Sequence, residues 1–179
     1  MLNWKLALAI ALIFALAPFS SSIPCFDVGA KGLAKLISIT QSLPFFVVWT
    51  ALIAYKRKSE WKEVVLEAIA LNLAVFALKE CLMRPRPPGS TSFSYGYPSG
   101  HSARAMWVAL HLSELYPSLR PALFAYAIAV GWSRVELCEH FPLDVLGGYL
   151  VAYSIRKAFP LLRSRLVVNG VRNENNTNR

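Results

Sequence analysis

The sequence predicts an all-α polytopic membrane protein, a bundle of six transmembrane helices. Three observations carry that expectation. Of the 179 residues 55% are hydrophobic and only 16% charged, with positive mean hydropathy, which is too apolar for an ordinary soluble domain. Six stretches approach the roughly 20 residues that an apolar helix needs to cross a bilayer core. The segments between them, 20–24, 56–59, 84–100, 117–119 and 138–142, carry turn and helix-breaking chemistry. Disorder is excluded, because disordered chains are poor in apolar residues.

The first stretch, 4–22, is an apolar run behind Lys5. With Ser20, Ser21 and Ser22 it also resembles a secretory signal peptide, but it is longer than a typical signal core and reads better as a retained span. Its loss would leave the other five oriented as before. The second and third spans cover 33–55 and 64–83. The fourth and fifth, 99–116 and 121–135, are short and partly polar, as a span buried inside a bundle is allowed to be. The sixth covers 143–162, with Pro142 suited to its first turn. One domain over 1–168 is expected, with a polar and disordered tail over 169–179. No internal repeat is seen.

Charge sets the orientation. Lys56, Arg57, Lys58, Lys62, Arg120, Arg156, Lys157, Arg163, Arg165, Arg172 and Arg179 fall on one side of six alternating helices; Lys31, Lys35, Arg84, Arg86 and Arg134 fall on the other. The positive-inside rule then places both termini in the cytoplasm. A net charge of +9 invites a nucleic-acid reading, but the basic residues are scattered between apolar runs, so no nucleic-acid partner is expected.

Alternation also brings four helix ends to the outer surface, and they hold the polar residues that apolar packing does not explain. These are Lys79, Arg84 and Arg86 after span three, Ser99, Gly100 and His101 before span four, Arg134 at the end of span five, and His140 and Asp144 before span six. Cations and imidazoles converging with one carboxylate suit a phosphate. Ser99 is a good N-cap, Gly100 lets backbone approach an anion, and the free N–H groups of a helix start bind phosphate. Asp144 lies one turn from His140 and can fix its tautomer, raising the nucleophilicity of the far ring nitrogen. Singly, each residue has a plain structural reading as a cap, a helix-start ion pair or a snorkelling cation.

Taken together, the pattern resembles a known signature. Lys79, six residues, Arg86 and Pro87; then Pro98, Ser99, Gly100 and His101; then Ser133, Arg134, five residues, His140, three residues and Asp144 look like the three-part motif of the type 2 phosphatidic acid phosphatase superfamily. The resemblance implies a metal-independent hydrolase with no cofactor. In it, His140 attacks phosphorus to form a phosphohistidine, Asp144 orients it and His101 protonates the leaving oxygen. Lys79, Arg86, Arg134, Ser99 and the Gly100 backbone hold the nonbridging oxygens. Glu80, Glu136 and Glu139 lie on the same face, but a hard cation wants several oxygens held together, and no metal is expected.

The expected function is hydrolysis of a lipid phosphate monoester or a polyprenyl diphosphate at the extracytoplasmic face of the membrane. The rivals are a sugar-phosphate phosphatase or haloperoxidase of the same superfamily and a non-catalytic lipid-binding or lipid-moving protein. Against the last stands the intact His140–Asp144 pair, since binding alone needs no nucleophile. Arg104 is read as a support beneath His101, or as the partner of Glu67 or Glu80, and His111 with Glu114 as a local pair. Of Cys25, Cys81 and Cys138, the last two are expected near outer helix ends, where a disulfide could staple the site in an oxidising compartment. The aromatic segment 93–97 suits a membrane interface.

Overall fold

The computed structural model describes residues 4–177, with side chains described to residue 161. The expectation for the polar tail falls on residues whose side chains lie outside the described part. The described chain is helical, in the order α1 (Trp4–Leu16, continued by a 3-10 turn over Ala17–Ser22), α2 (Lys31–Ile39), α3 (Leu43–Lys56), α4 (Trp61–Leu82), α5 (Gly100–Leu115), α6 (Arg120–Glu136) and α7 (Pro142–Thr177).

The second expected span is not one helix but two, α2 and α3, meeting at 47°. Ser42 is extended and Pro44 sits in the first turn of α3, where a proline lacks the N–H that would carry the helix onward. At this break the Gln41 carbonyl accepts Arg104 Nε at 2.8 Å and the Gln41 amide donates to Tyr126 Oη at 2.9 Å. An apolar run read from composition alone conceals such a break.

Among the described residues, Trp4–Ser22 is long and apolar enough to cross a membrane by itself, and the bent α2–α3 pair is a second such stretch if taken as one span. Of the other helices, α5 and α6 are short, at 16 and 17 residues, and α4 carries several charges. Two of the charges on α4, Glu67 and Lys79, turn inward. On α4 the buried face is Val64, Glu67, Ala68, Leu71, Val75 and Lys79, while Leu66, Ile69, Leu73 and Phe76 are exposed at helical spacing. Polar residues inside and apolar residues outside reverse the pattern of a soluble helix.

Helix α5 packs against α7, α6, α3 and α4. Trp107 is wholly buried at its middle, edge-on to Phe46 with ring centroids 5.3 Å apart. Gly147 lets α7 approach Tyr97 in the connector before α5, and Gly148 lets it approach the start of α5. A Cβ on the first would enter the ring of Tyr97, and one on the second would meet the Ser99 carbonyl. At the end of the bundle away from Ser99, Glu67 takes His111 at 2.9 Å and Arg156 at 3.3 Å, and Glu114 takes Arg57 at 2.5 Å and Arg156 at 2.6 Å. His111 and Glu114 are therefore not each other's partners, because tertiary neighbours outcompete the local pairing.

Candidate active site

The site is assembled at one end of the bundle from the C-terminal turn of α4, the connector 83–99, the start of α5, the end of α6, the turn 137–141 and the start of α7. Met83 ends α4 in the left-handed region, its N–H closing on the Lys79 carbonyl at 2.9 Å, which turns the chain back across the helix ends. Lys79 is buried and donates to the carbonyls of Tyr95 and Gly96. Gly96 has no room for a side chain: a Cβ would lie 2.8 Å from the Pro85 carbonyl oxygen and 3.2 Å from Asp144 Oδ2.

Ser99 caps α5, accepting from Ser102 N at 3.5 Å and from Ser102 Oγ at 3.0 Å, and its own N–H donates to the Asp144 carbonyl at 2.8 Å. That last bond ties the start of α5 to the start of α7 and so brings the segment of His101 beside that of His140. His140 is 2% exposed and Asp144 wholly buried. His140 Nδ1 lies 3.4 Å from Asp144 Oδ2, which also accepts Phe141 N at 2.9 Å. On the other side of the ring, Arg86 Nη1 is 3.2 Å from Nε2. A guanidinium can only donate, so Nε2 carries the lone pair and Nδ1 the proton. This is the tautomer a nucleophile requires.

Arg86 also donates to the Glu139 carbonyl at 2.6 Å, the Ser94 carbonyl at 2.6 Å and Ser94 Oγ at 2.9 Å. Arg134 is anchored by Ser38 Oγ on α2 at 2.6 Å. His101 Nδ1 faces Arg104 Nη2 at 3.5 Å, and Arg104 Nη1 reaches Asn72 Oδ1 at 3.2 Å. Arg104 thus lies beneath His101, while Glu67 pairs with His111 and Arg156. Arg84 leaves the group: it donates to the Pro18 carbonyl at 2.8 Å and lies 3.4 Å from Ser20 Oγ, fastening the end of the first helix.

A family model described as the PAP2 superfamily matches residues 61–166, more than half of the chain. The chain belongs to the PAP2 superfamily. Over 59 residues, 33% of this chain and 15% of the relative, it is 34% identical to the inositol phosphorylceramide synthase catalytic subunit AUR1 of Saccharomyces cerevisiae. The corresponding subunit of Schizosaccharomyces pombe is 34% identical over 56 residues, 31% of this chain and 13% of that one. The match therefore spans a small part of these curated relatives. Among solved structures, a transmembrane PAP2-type phosphatidylglycerolphosphate phosphatase from Bacillus subtilis superposes with a TM-score of 0.63 at 24% identity, over 91% of this chain and 88% of that one. Aquifex aeolicus LpxE superposes with a TM-score of 0.51 at 25% identity, over 72% and 92%. The fold is that of the membrane PAP2 phosphatases.

The parts played by several residues of this PAP2 chain escaped sequence reasoning. Glu139 accepts Ser90 Oγ at 2.7 Å, Ser92 Oγ at 3.0 Å, Thr91 N at 3.2 Å and Thr91 Oγ1 at 2.5 Å, and faces Arg86 and Arg134 at 3.6 and 3.8 Å. Burial pushes its carboxyl up, but the bonds from Thr91, Ser90 and Ser92 outweigh this and hold it at about 2. Glu136 accepts Val28 N at 2.9 Å and Ala30 N at 2.8 Å, capping α2, which has no side-chain cap of its own. The disulfide joins Cys25 to Cys138, Cα atoms 5.4 Å apart, and not Cys81 to Cys138; Cys81 is a free, exposed thiol. Cys25 and Cys138 sit in two connectors that meet beside α6, whereas Cys81 stands off the buried face of α4. Proximity to helix ends was too coarse a guide; pairing of connectors on one side was the available signal.

Burial, followed by the positive charges of Arg86, Lys79, Arg134 and His101, holds the His140 ring well below the ordinary histidine value. The fold thus favours the neutral ring, whose Nε2 lone pair is engaged by Arg86.

Proposed function

We propose that this chain is an integral membrane phosphatase acting on a lipid phosphate monoester or a polyprenyl diphosphate through a phosphohistidine at His140. The observation that carries the reading is the His140 ring, with Asp144 at one nitrogen and a cation at the other. Phosphoryl transfer asks chiefly for positioning and for charge on the equatorial oxygens. Lys79, Arg86, Arg134, Ser99 and the Gly100 N–H supply these. As phosphate displaces Arg86 from Nε2, the nitrogen attacks phosphorus; the N–P bond forms, the bond to the leaving oxygen breaks, and His101, having taken up the proton of the incoming phosphate monoanion, delivers it to that oxygen. Water, deprotonated by His101, then attacks phosphorus; the N–P bond breaks and inorganic phosphate leaves. The charge is supplied by side chains, and activity is expected to persist in EDTA.

The reading of six spans with cytoplasmic termini and an extracytoplasmic site is supported by the inward turn of the charges on α4 and by the basic residues around the opposite helix ends. The relatives' own substrates, phosphatidylglycerolphosphate among them, motivate the substrate class. The test is phosphate release from phosphatidate, phosphatidylglycerol phosphate and undecaprenyl diphosphate in detergent with EDTA. His140→Ala is expected to lose activity by at least about a thousandfold, in line with removal of a catalytic nucleophile. A wild-type sample quenched with detergent at alkaline pH is expected to hold label from a radioactive phosphate substrate on His140, and to lose it on acidification, as an N–P bond does. Unchanged activity in His140→Ala overturns the reading.

A further inference from the structure

The carboxylate of Glu139 lies on the same two guanidiniums that the proposed mechanism assigns to the phosphate. It is 3.6 Å from Arg86 and 3.8 Å from Arg134, near enough to attract but beyond direct hydrogen bonding. It does not close that gap because it is held from the opposite side. Oε2, the oxygen facing both arginines, accepts Ser90 Oγ and Ser92 Oγ, and Oε1 accepts the Thr91 N–H and Oγ1. The residue is 7% exposed and immediately precedes the nucleophile.

We infer that Glu139 is a fixed counter-anion which positions the Arg86–Arg134 pair and limits how tightly the site holds phosphate, kept off the arginines by the 90–92 turn. This rests on the phosphatase reading and extends it. The surplus of positive charge that stabilises the transition state would also retain inorganic phosphate, and a permanent negative charge at the edge of the pocket favours its release. The charge must be restrained, because a free carboxylate would drop onto the guanidiniums and occupy the phosphate's place. The turn over Ser90, Thr91 and Ser92 supplies that restraint with four donors and ties the connector to the nucleophile's own turn.

Two variants of the full-length chain then act in opposite directions on one readout, the affinity for inorganic phosphate measured by calorimetry in detergent. Glu139→Gln keeps the shape and removes the charge, so phosphate is expected to bind about tenfold more tightly, a modest share of what a nearby charge exerts at an effective dielectric near 20. Ser90→Ala/Ser92→Ala releases Oε2 toward the arginines, and phosphate is expected to bind at least about fivefold more weakly, by the same electrostatics. A merely structural Glu139 would weaken binding in both variants, and that result, or no change in either, overturns the inference. Should Glu139→Gln fail to fold, Glu139→Ala takes its place on the same readout: tighter phosphate binding is expected, and weaker or unchanged binding overturns the proposal. Arg134→Ala separates the two levels of argument. Lost binding there with the wrong signs above sinks only the role of Glu139; undiminished binding there removes the phosphate site itself, and both readings fall together.

Discussion

His140 shows how two neighbours decide the chemistry of one side chain. Asp144 takes the proton of Nδ1 at 3.4 Å and Arg86 takes the lone pair of Nε2 at 3.2 Å, so the tautomer follows from partners contributed by α7 and by the connector after α4. Its pH dependence has a definite sign. The folded value is depressed, so the fold favours the neutral ring; that contribution is present above the ordinary value near 6.5 and is lost as pH falls through the depressed one. The enzyme's acid limb in kcat/KM is therefore expected below 6.5. Two substrates whose phosphates ionise differently identify it as the limb that stays in place, and a limb at or above 6.5 would contradict the assignment. At this scale the sequence offered Lys79, Arg86, Ser99, Gly100, His101, Arg134, His140 and Asp144 as one group by residue type and spacing, and the structure gathers them at one end of the bundle. Glu139 was not legible, since its part depends on a turn 47–49 residues away folding back over it.

Among the helices, the pairing of α5 with α7 does the most for the site. The Ser99 N–H on the Asp144 carbonyl, at 2.8 Å, joins their first turns, and Gly148 lets the backbones approach. Gly148→Val would drive a branched side chain into the Ser99 carbonyl and the Ala103 N–H. The expected cost is about 1–3 kcal/mol or more of stability, as for other overpacked contacts. Thermal unfolding in detergent measures it, and activity is expected to fall further than stability because His101 moves with Ser99. A variant as stable and active as wild type would show that the contact is slack. The break between α2 and α3 belongs to this scale too. Ser42 and Pro44 were visible in the sequence, but the apolar content on both sides masked them, and only the bundle shows that Gln41 and Ser38 flank the break to hold Arg104 and Arg134.

Across the whole molecule, the disulfide ties the first connector to the turn that carries His140, its cysteines 113 apart in sequence. Alkylation of the unreduced protein is expected to label Cys81 alone, and all three cysteines after reduction and denaturation, as read by intact mass. Cys138→Ser is expected to cost about 2–4 kcal/mol, the usual worth of a bridge closing a long loop. Labelling of Cys138 without reduction would show the two connectors apart.

By itself the sequence determined the helical class, the family signature and the candidate residues for a phosphate site, because these depend on residue type, hydropathy and short spacings. Only the tertiary structure decided which charges belong together. It sent Arg84 to the first helix, His111 to Glu67, Cys138 to Cys25 and Glu139 to the 90–92 turn. The physical reason is range: a hydropathy pattern is local along the chain, whereas a buried charge must find its counter-charge in space, and packing chooses among partners that lie equally far away in sequence.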